Sequence, residues 1–234
     1  MHSILVAIAA AALSCTQAFA QQTGDPVIHP GAQRFAHILL VDSGMFAQAI
    51  DAVQTMEAPA VRESYLEEPW ALNLDKDKRA RVVAYVDTIP TTLASALMAE
   101  LPNIEAAAAA AYNKEFTPEE LDQIIAYLDT EDGLAYIRAI TGVTITTFTT
   151  TGRRPTTAET SAAVTPEQRA KAKAFNTSLG GQAMSRVAAS GKAKAIMFEA
   201  VQAYPTPEKT DAIYAKIRAD LCAIVGEPCP VPEL

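Results

Sequence analysis

The chain has 234 residues, half of them apolar, and 46 alanines against only 6% aromatic residues. This composition favours helices and excludes a collagen or a disordered tail; no apolar run reaches the roughly 20 residues of a spanning helix, so we predict no membrane span. The net charge of −8 argues against nucleic acid as a partner, because phosphate contacts need an excess of Lys and Arg.

Residues 1–20 predict a secretory signal peptide. An apolar run over residues 4–13 is followed by Ala18-Phe19-Ala20, the small-residue pattern that precedes a cleavage site. We therefore expect cleavage after Ala20 and a periplasmic or secreted protein. The alternative is a lipoprotein, with the lipid attached at Cys15.

The mature chain predicts an all-α fold, a compact helical bundle with a repeated helical hairpin. Residues 21–31 are a predicted linker, residues 32–226 the helical domain and residues 227–234 a C-terminal tail. In the first half, residues 58–72 contain Pro59 and Pro69 and predict a loop that includes a turn of helix. Apolar residues elsewhere recur at spacings of three and four, which predicts helices over 32–43, 46–57, 76–89, 90–100 and 104–115.

Residues 117–120 read Thr-Pro-Glu-Glu, a helix start in which the threonine caps, the proline occupies N1 and Glu120 closes a capping box. The same pattern returns 48 residues later, where residues 165–168 read Thr-Pro-Glu-Gln. We predict that 116–142 and 164–190 are two copies of one helical hairpin. The further matches at this offset are Tyr127 with Phe175, Thr130 with Ser178, Gly133 with Gly181, Ala135 with Ala183 and Arg138 with Arg186.

Residues 143–160 between the two copies are rich in Thr and other β-branched residues. They predict a helix to about Thr150 and then a linker, with a strand as the alternative by propensity. Residues 206–208, Thr-Pro-Glu, predict the start of a last helix that ends at Gly226.

The second copy has lost much of the apolar stripe of the first. Leu121 and Ile125 correspond to Arg169 and Lys173. We therefore predict that the 165–177 helix is peripheral. Its exposed Arg169, Lys171 and Lys173 form a candidate interaction face for an acidic partner.

Residues 116–121, Phe-Thr-Pro-Glu-Glu-Leu, with Tyr127, Thr130 and Gly133 after them, resemble a family of exported bacterial proteins catalogued only as domain of unknown function 2059. The resemblance covers about residues 35–150, and the second copy extends it to about Gly191. It implies an all-helical exported domain with no assigned activity, and it supplies no catalytic residue.

Removal of the signal peptide leaves two cysteines, Cys222 and Cys229. An even number in an exported chain predicts a disulfide. A metal site is disfavoured because no histidine or third cysteine lies near them in sequence.

The sequence contains no nucleophile elbow, metal-binding helix motif, calcium loop or phosphate loop. The mature chain has two histidines, His29 and His37, so a hydrolase assembled from scattered residues stays open as the alternative. We predict no catalytic residue, no metal site and no cofactor. The favoured function is a non-enzymatic interaction module that binds an unknown periplasmic protein or envelope component.

Overall fold

The computed structural model describes residues 27–231. The predicted signal peptide, its cleavage after Ala20 and the alternative lipid site at Cys15 lie outside the described residues. Every regular element within residues 27–231 is helical, so the predicted all-α fold class is confirmed.

The elements in chain order are α1 (Pro30–His37), a π-helical turn (Ile38–Asp42), α2 (Met45–Leu66), α3 (Pro69–Leu72), α4 (Lys76–Val86), α5 (Ile89–Ala99), α6 (Leu101–Glu115), α7 (Pro118–Leu128), α8 (Glu131–Thr151), α9 (Thr157–Ala162), α10 (Pro166–Asn176), α11 (Leu179–Ala189), α12 (Lys192–Gln202) and α13 (Pro207–Val225).

The described residues divide into two compact units, and the helical domain over 32–226 stays a prediction. The hairpin unit contains residues 27–49 and Leu101–Ala203, and the groove unit contains Ile50–Glu100 and residues 204–231. Each unit is built from segments that are distant in sequence. The spacing of apolar residues along the chain reveals helices, but it does not reveal which segments pack together.

The predicted loop is wrong for residues 58–66, because α2 continues through Pro59 to Leu66. The turn of helix expected in this stretch is present as α3. Proline in a helix interior costs about 3 kcal/mol through its missing N–H donor and its steric clash. Here the residues after it bury Val61 and Tyr65, which are 0% and 4% exposed. Burying two such side chains contributes about 1.5–3 kcal/mol each, which offsets the proline.

Two smaller predictions also change. The linker ends before Pro30, because His29 caps α1 by accepting a hydrogen bond from Gly31 N–H. The predicted linker after Gly152 contains the short helix α9. This helix begins with a capping box, in which the side chains of Thr156 and Glu159 each accept a hydrogen bond from the other residue's backbone N–H. The helix predicted to about Thr150 is confirmed, as α8 runs to Thr151.

In the hairpin unit, α1 packs against α6 and α7. Its Phe35 ring lies edge-on to Tyr112 and Phe116, with centroids 4.8 and 5.7 Å apart. All three rings are buried, so this aromatic cluster is the centre of the unit's core.

Residues 116–142 and 164–190 each contain two helices joined at a tight corner. At the first corner Gly133 N–H donates to Thr130 Oγ1 at 3.0 Å, and at the second Gly181 N–H donates to Ser178 Oγ at 3.1 Å. A Cβ atom on either glycine would meet a carbonyl oxygen of the preceding helix, at 2.1 Å for Gly133 and 2.2 Å for Gly181. Both corners therefore require glycine for close backbone approach.

The four helices of these hairpins contact one another crosswise. Helix α7 packs against α11, and α8 packs against α10. Between them the rings of Tyr127 and Phe175 are stacked, with centroids 4.2 Å apart and planes 12° apart. The two aromatic residues that match in sequence are thus each other's neighbour.

In the groove unit, α4 packs against α13 around a core that includes Val82, Ile217 and Leu221. The predicted disulfide between Cys222 and Cys229 is present, with Cα atoms 5.2 Å apart. It ties the residues after α13 back to that helix.

Two helical stretches, Pro30–Leu66 and Lys76–Ala99, are long and apolar enough to cross a membrane by length and composition alone. Core helices of soluble proteins meet the same criteria. In each stretch, 28% of the most apolar 18-residue segment is buried inside the protein. The absence of a membrane span stays a prediction.

The corner geometry predicts that replacing a corner glycine with alanine destabilises the protein, whereas replacing a glycine inside a helix stabilises it. Gly133→Ala and Gly181→Ala should each lower the free energy of unfolding by roughly 1–3 kcal/mol, because the new methyl group collides with a backbone carbonyl. The control is Gly142→Ala in α8, where a Cβ would meet only Gln48 Oε1 at 3.9 Å. That change should stabilise by up to about 1 kcal/mol through helix propensity. Urea unfolding measures all three, and equal stability of the three variants would contradict the corner constraint.

Candidate functional site

An apolar groove lies in the groove unit between α2, α5 and the start of α13. Its cavity volume is about 70 Å³. Apolar side chains dominate the walls, and the polar lining residues are few. The lining residues are Ile50, Val53, Gln54, Glu57, Val61, Pro90, Leu93, Ala94, Ala96, Leu97, Pro205, Thr210, Ile213 and Tyr214.

The groove results from helical spacing combined with small side chains. The lining residues of α2 recur three and four positions apart and so lie on one face of the helix. Val61 and Leu97 are buried at its base, while Ala94 and Ala96 of α5 leave the space between the helices unfilled. The apolar spacing predicted helices here, and the structure shows that part of the α2 and α5 stripes borders open space.

The polar groups of the groove differ in how well they are satisfied. Gln54 donates to Thr91 Oγ1 at 2.6 Å. Burial raises the pKa of the Tyr214 phenol, so this side chain is neutral at physiological pH. Glu57 is partly exposed, and its carboxylate has no hydrogen bond or ion pair with any residue in 27–231. The groove therefore combines apolar walls with one uncompensated carboxylate.

A second, wider cleft of about 520 Å³ lies over the Tyr127–Phe175 stack in the hairpin unit. The Tyr127 hydroxyl is buried without a hydrogen-bond partner in the described chain. The cleft is open, and Lys171 and Asp132 of its wall pair with each other. Binding sites are typically concave and mostly apolar, so the groove is the better candidate.

The predicted contrast between α7 and α10 is present in their burial. Leu121 and Ile124 of α7 are 0% exposed, and Ile125 is partly exposed. At the corresponding positions of α10, Arg169 and Lys173 are exposed. This confirms that α10 contributes less to the core than α7.

The candidate basic face on α10 is exposed, but two of its three cations have partners in the protein. Arg169 donates to two backbone carbonyls. Lys171 forms ion pairs with Asp132 and Glu167. Only Lys173 lacks a partner within residues 27–231, and binding of an acidic partner to this face stays a prediction.

Neither histidine has the arrangement of a general base in a catalytic triad. The His29 ring caps α1. Both ring nitrogens of His37 face carboxylates, with Nδ1 3.0 Å from Glu105 and Nε2 3.5 Å from Asp42. A triad histidine needs one nitrogen directed at a nucleophile. Among residues 27–231, no group of three or more His, Cys, Asp or Glu side chains is placed to hold a metal.

The most deeply buried carboxylates have cationic partners. Glu120 accepts a hydrogen bond from Arg186 at 2.8 Å, and Glu100 pairs with Lys209 at 2.5 Å. Hydrogen bonds from Arg186 and from the Thr117 backbone N–H lower the pKa of Glu120, although burial opposes the shift. These acids stabilise the fold and are not free for catalysis.

The Glu120–Arg186 pair predicts a pH-dependent contribution to stability. Because the folded-state pKa of Glu120 lies below its ordinary 4.5, the contribution is complete above that value and is lost as pH falls through the folded pKa. Arg186→Gln should therefore lower Tm at pH 7 and have less effect at pH 3. Arg154→Gln is the control, since Arg154 is exposed. An Arg186→Gln effect independent of pH would contradict this role.

Comparison with protein-family models, curated proteins and solved structures found no match to this chain.

Proposed function

We propose that this protein is an exported, non-enzymatic interaction module whose groove binds an apolar segment of a periplasmic protein or envelope component. The observation that supports this proposal is the groove between α2, α5 and α13, whose walls are apolar along three helices. Apolar surface that a partner covers contributes about 25 cal/mol per Å².

The size of the groove favours a macromolecular partner. Pockets that enclose a small molecule have volumes of roughly 300–1,000 Å³, whereas this cavity measures about 70 Å³. It has room for individual side chains.

The alternative, a hydrolase with a site assembled from scattered residues, has weaker support. His37 is held between two carboxylates. The nearby Ser43 hydroxyl donates to the Leu39 carbonyl oxygen at 2.5 Å and is 2% exposed. A nucleophile must reach its substrate, and this hydroxyl does not.

Export is part of the proposal and rests on two features. The first is the signal pattern of residues 1–20. The second is the disulfide between Cys222 and Cys229, since disulfides persist in oxidising compartments such as the periplasm. The resemblance to domain of unknown function 2059 agrees with this location.

We also propose that the two hairpins are copies of one ancestral unit, related by an approximate two-fold axis. At the offset of 48 residues, Gln123 corresponds to Lys171 and Asp132 corresponds to Gly180. Both pairs of positions are in contact across the hairpins: Gly180 N–H donates to Gln123 Oε1 at 3.2 Å, and Lys171 pairs with Asp132. A two-fold axis places corresponding positions opposite one another in this way.

The groove can be tested with N-phenyl-1-naphthylamine, a neutral dye that fluoresces on entering an apolar site. The wild-type protein should bind the dye, and Ala94→Phe should weaken binding at least about tenfold because the ring fills the groove. The control is Ala99→Phe, the same substitution at an exposed position of α5 outside the groove lining. Equal binding by the two variants, or no binding by the wild type, would refute the groove as the site.

Export is tested by intact mass and N-terminal sequencing of the protein from the cell envelope and the medium. The mature chain should begin at Gln21, or at its pyroglutamate form, and should be soluble without detergent. A diacylated N-terminal Cys15 would show a lipoprotein instead, and an uncleaved chain in the membrane fraction would contradict the absence of a membrane span.

A further inference from the structure

We infer that the groove selects a cationic amphipathic peptide segment, with an aliphatic side chain between α2 and α5 and a Lys or Arg against Glu57. This inference rests on the proposed function, because it names the class of partner that the same groove takes. The feature that selects such a peptide is the unpaired carboxylate of Glu57 beside the apolar walls of the groove.

Glu57 discriminates through desolvation. A ligand that covers the groove removes water from this carboxylate, and an ionised group without a partner is costly to desolvate. A purely apolar or anionic ligand leaves that cost uncompensated. A cation placed against Glu57 offsets it with a charge-assisted hydrogen bond.

Two further exposed carboxylates lie on the helices that line the groove. Asp51 on α2 and Asp211 on α13 are exposed, each next in sequence to a lining residue, and neither carboxylate has a cationic partner among residues 27–231. Lys209, the nearest base in sequence on α13, is already paired with Glu100. Clefts with one sign of charge attract ligands of the opposite sign.

The shape of the groove favours a peptide segment over a small amine. Its α2 wall extends from Ile50 to Val61, about 16 Å at 1.5 Å per residue. A cavity of about 70 Å³ spread along such a wall is shallow. It suits successive side chains of a segment that lies along the helix.

The experiment compares two short labelled peptides on the full-length oxidised protein by fluorescence anisotropy, one of leucine and lysine and one of leucine and glutamate. The leucine–lysine peptide should bind about tenfold more tightly, and added NaCl should reduce the difference because it screens the charges. Glu57→Gln should abolish the preference, and Glu57→Asp should retain part of it. Glu63→Gln, an exposed site on the same helix outside the lining, should leave the preference unchanged.

Dye binding separates failure of this inference from failure of the proposed function. If Glu57→Gln still binds N-phenyl-1-naphthylamine but keeps the preference for the lysine peptide, the role of Glu57 is wrong while the groove remains a site. Equal affinity of the wild type for both peptides overturns the inference in the same way. If the wild type does not bind the dye, the proposed function itself fails. Co-flotation of the wild-type protein with zwitterionic phospholipid vesicles, together with no binding of either peptide, would show a lipid surface as the partner and overturn the inference.

Discussion

The hairpin unit depends on the close approach of two backbones at each Ser/Thr-x-x-Gly corner. The second helix starts directly against the last carbonyls of the first, so a Cβ at Gly133 or Gly181 has no room. The Thr130 and Ser178 hydroxyls satisfy N–H groups that a helix start leaves unpaired. This geometry fixes how each helix pair diverges, and the Tyr127–Phe175 stack then lies between the pairs.

Alanine has a second consequence beyond helix propensity. Where alanines face a neighbouring helix they let backbones approach, as in α6, whose Ala108 and Ala109 are buried. Where they face a gap that no larger side chain fills, as Ala94 and Ala96 do in α5, they leave a groove. The same residue type therefore produces close packing in one unit and a cavity in the other.

The acidic residues that stabilise the fold differ from Glu57 in whether a cationic side chain pairs with them. Carboxylates that are taken out of water need a partner, and Glu120 and Glu100 have theirs in Arg186 and Lys209. Glu57 keeps partial access to water and needs none while the groove is empty. It acquires a requirement for a cation only when a partner covers it, which is why a surface carboxylate beside apolar walls can determine specificity.

The sequence by itself determined the all-α class, most helix starts, the disulfide and the exposure of the basic residues on α10, because caps, periodicity and cysteine pairing are local or compositional. Only the tertiary structure showed that α2 continues through Pro59, since burial of Val61 and Tyr65 compensates for a locally unfavourable residue. It also decided the groove. An apolar stripe such as that of Ile50, Val53 and Val61 has the same spacing whether a neighbouring helix covers it or leaves it open, so long-range packing alone distinguishes core from binding site.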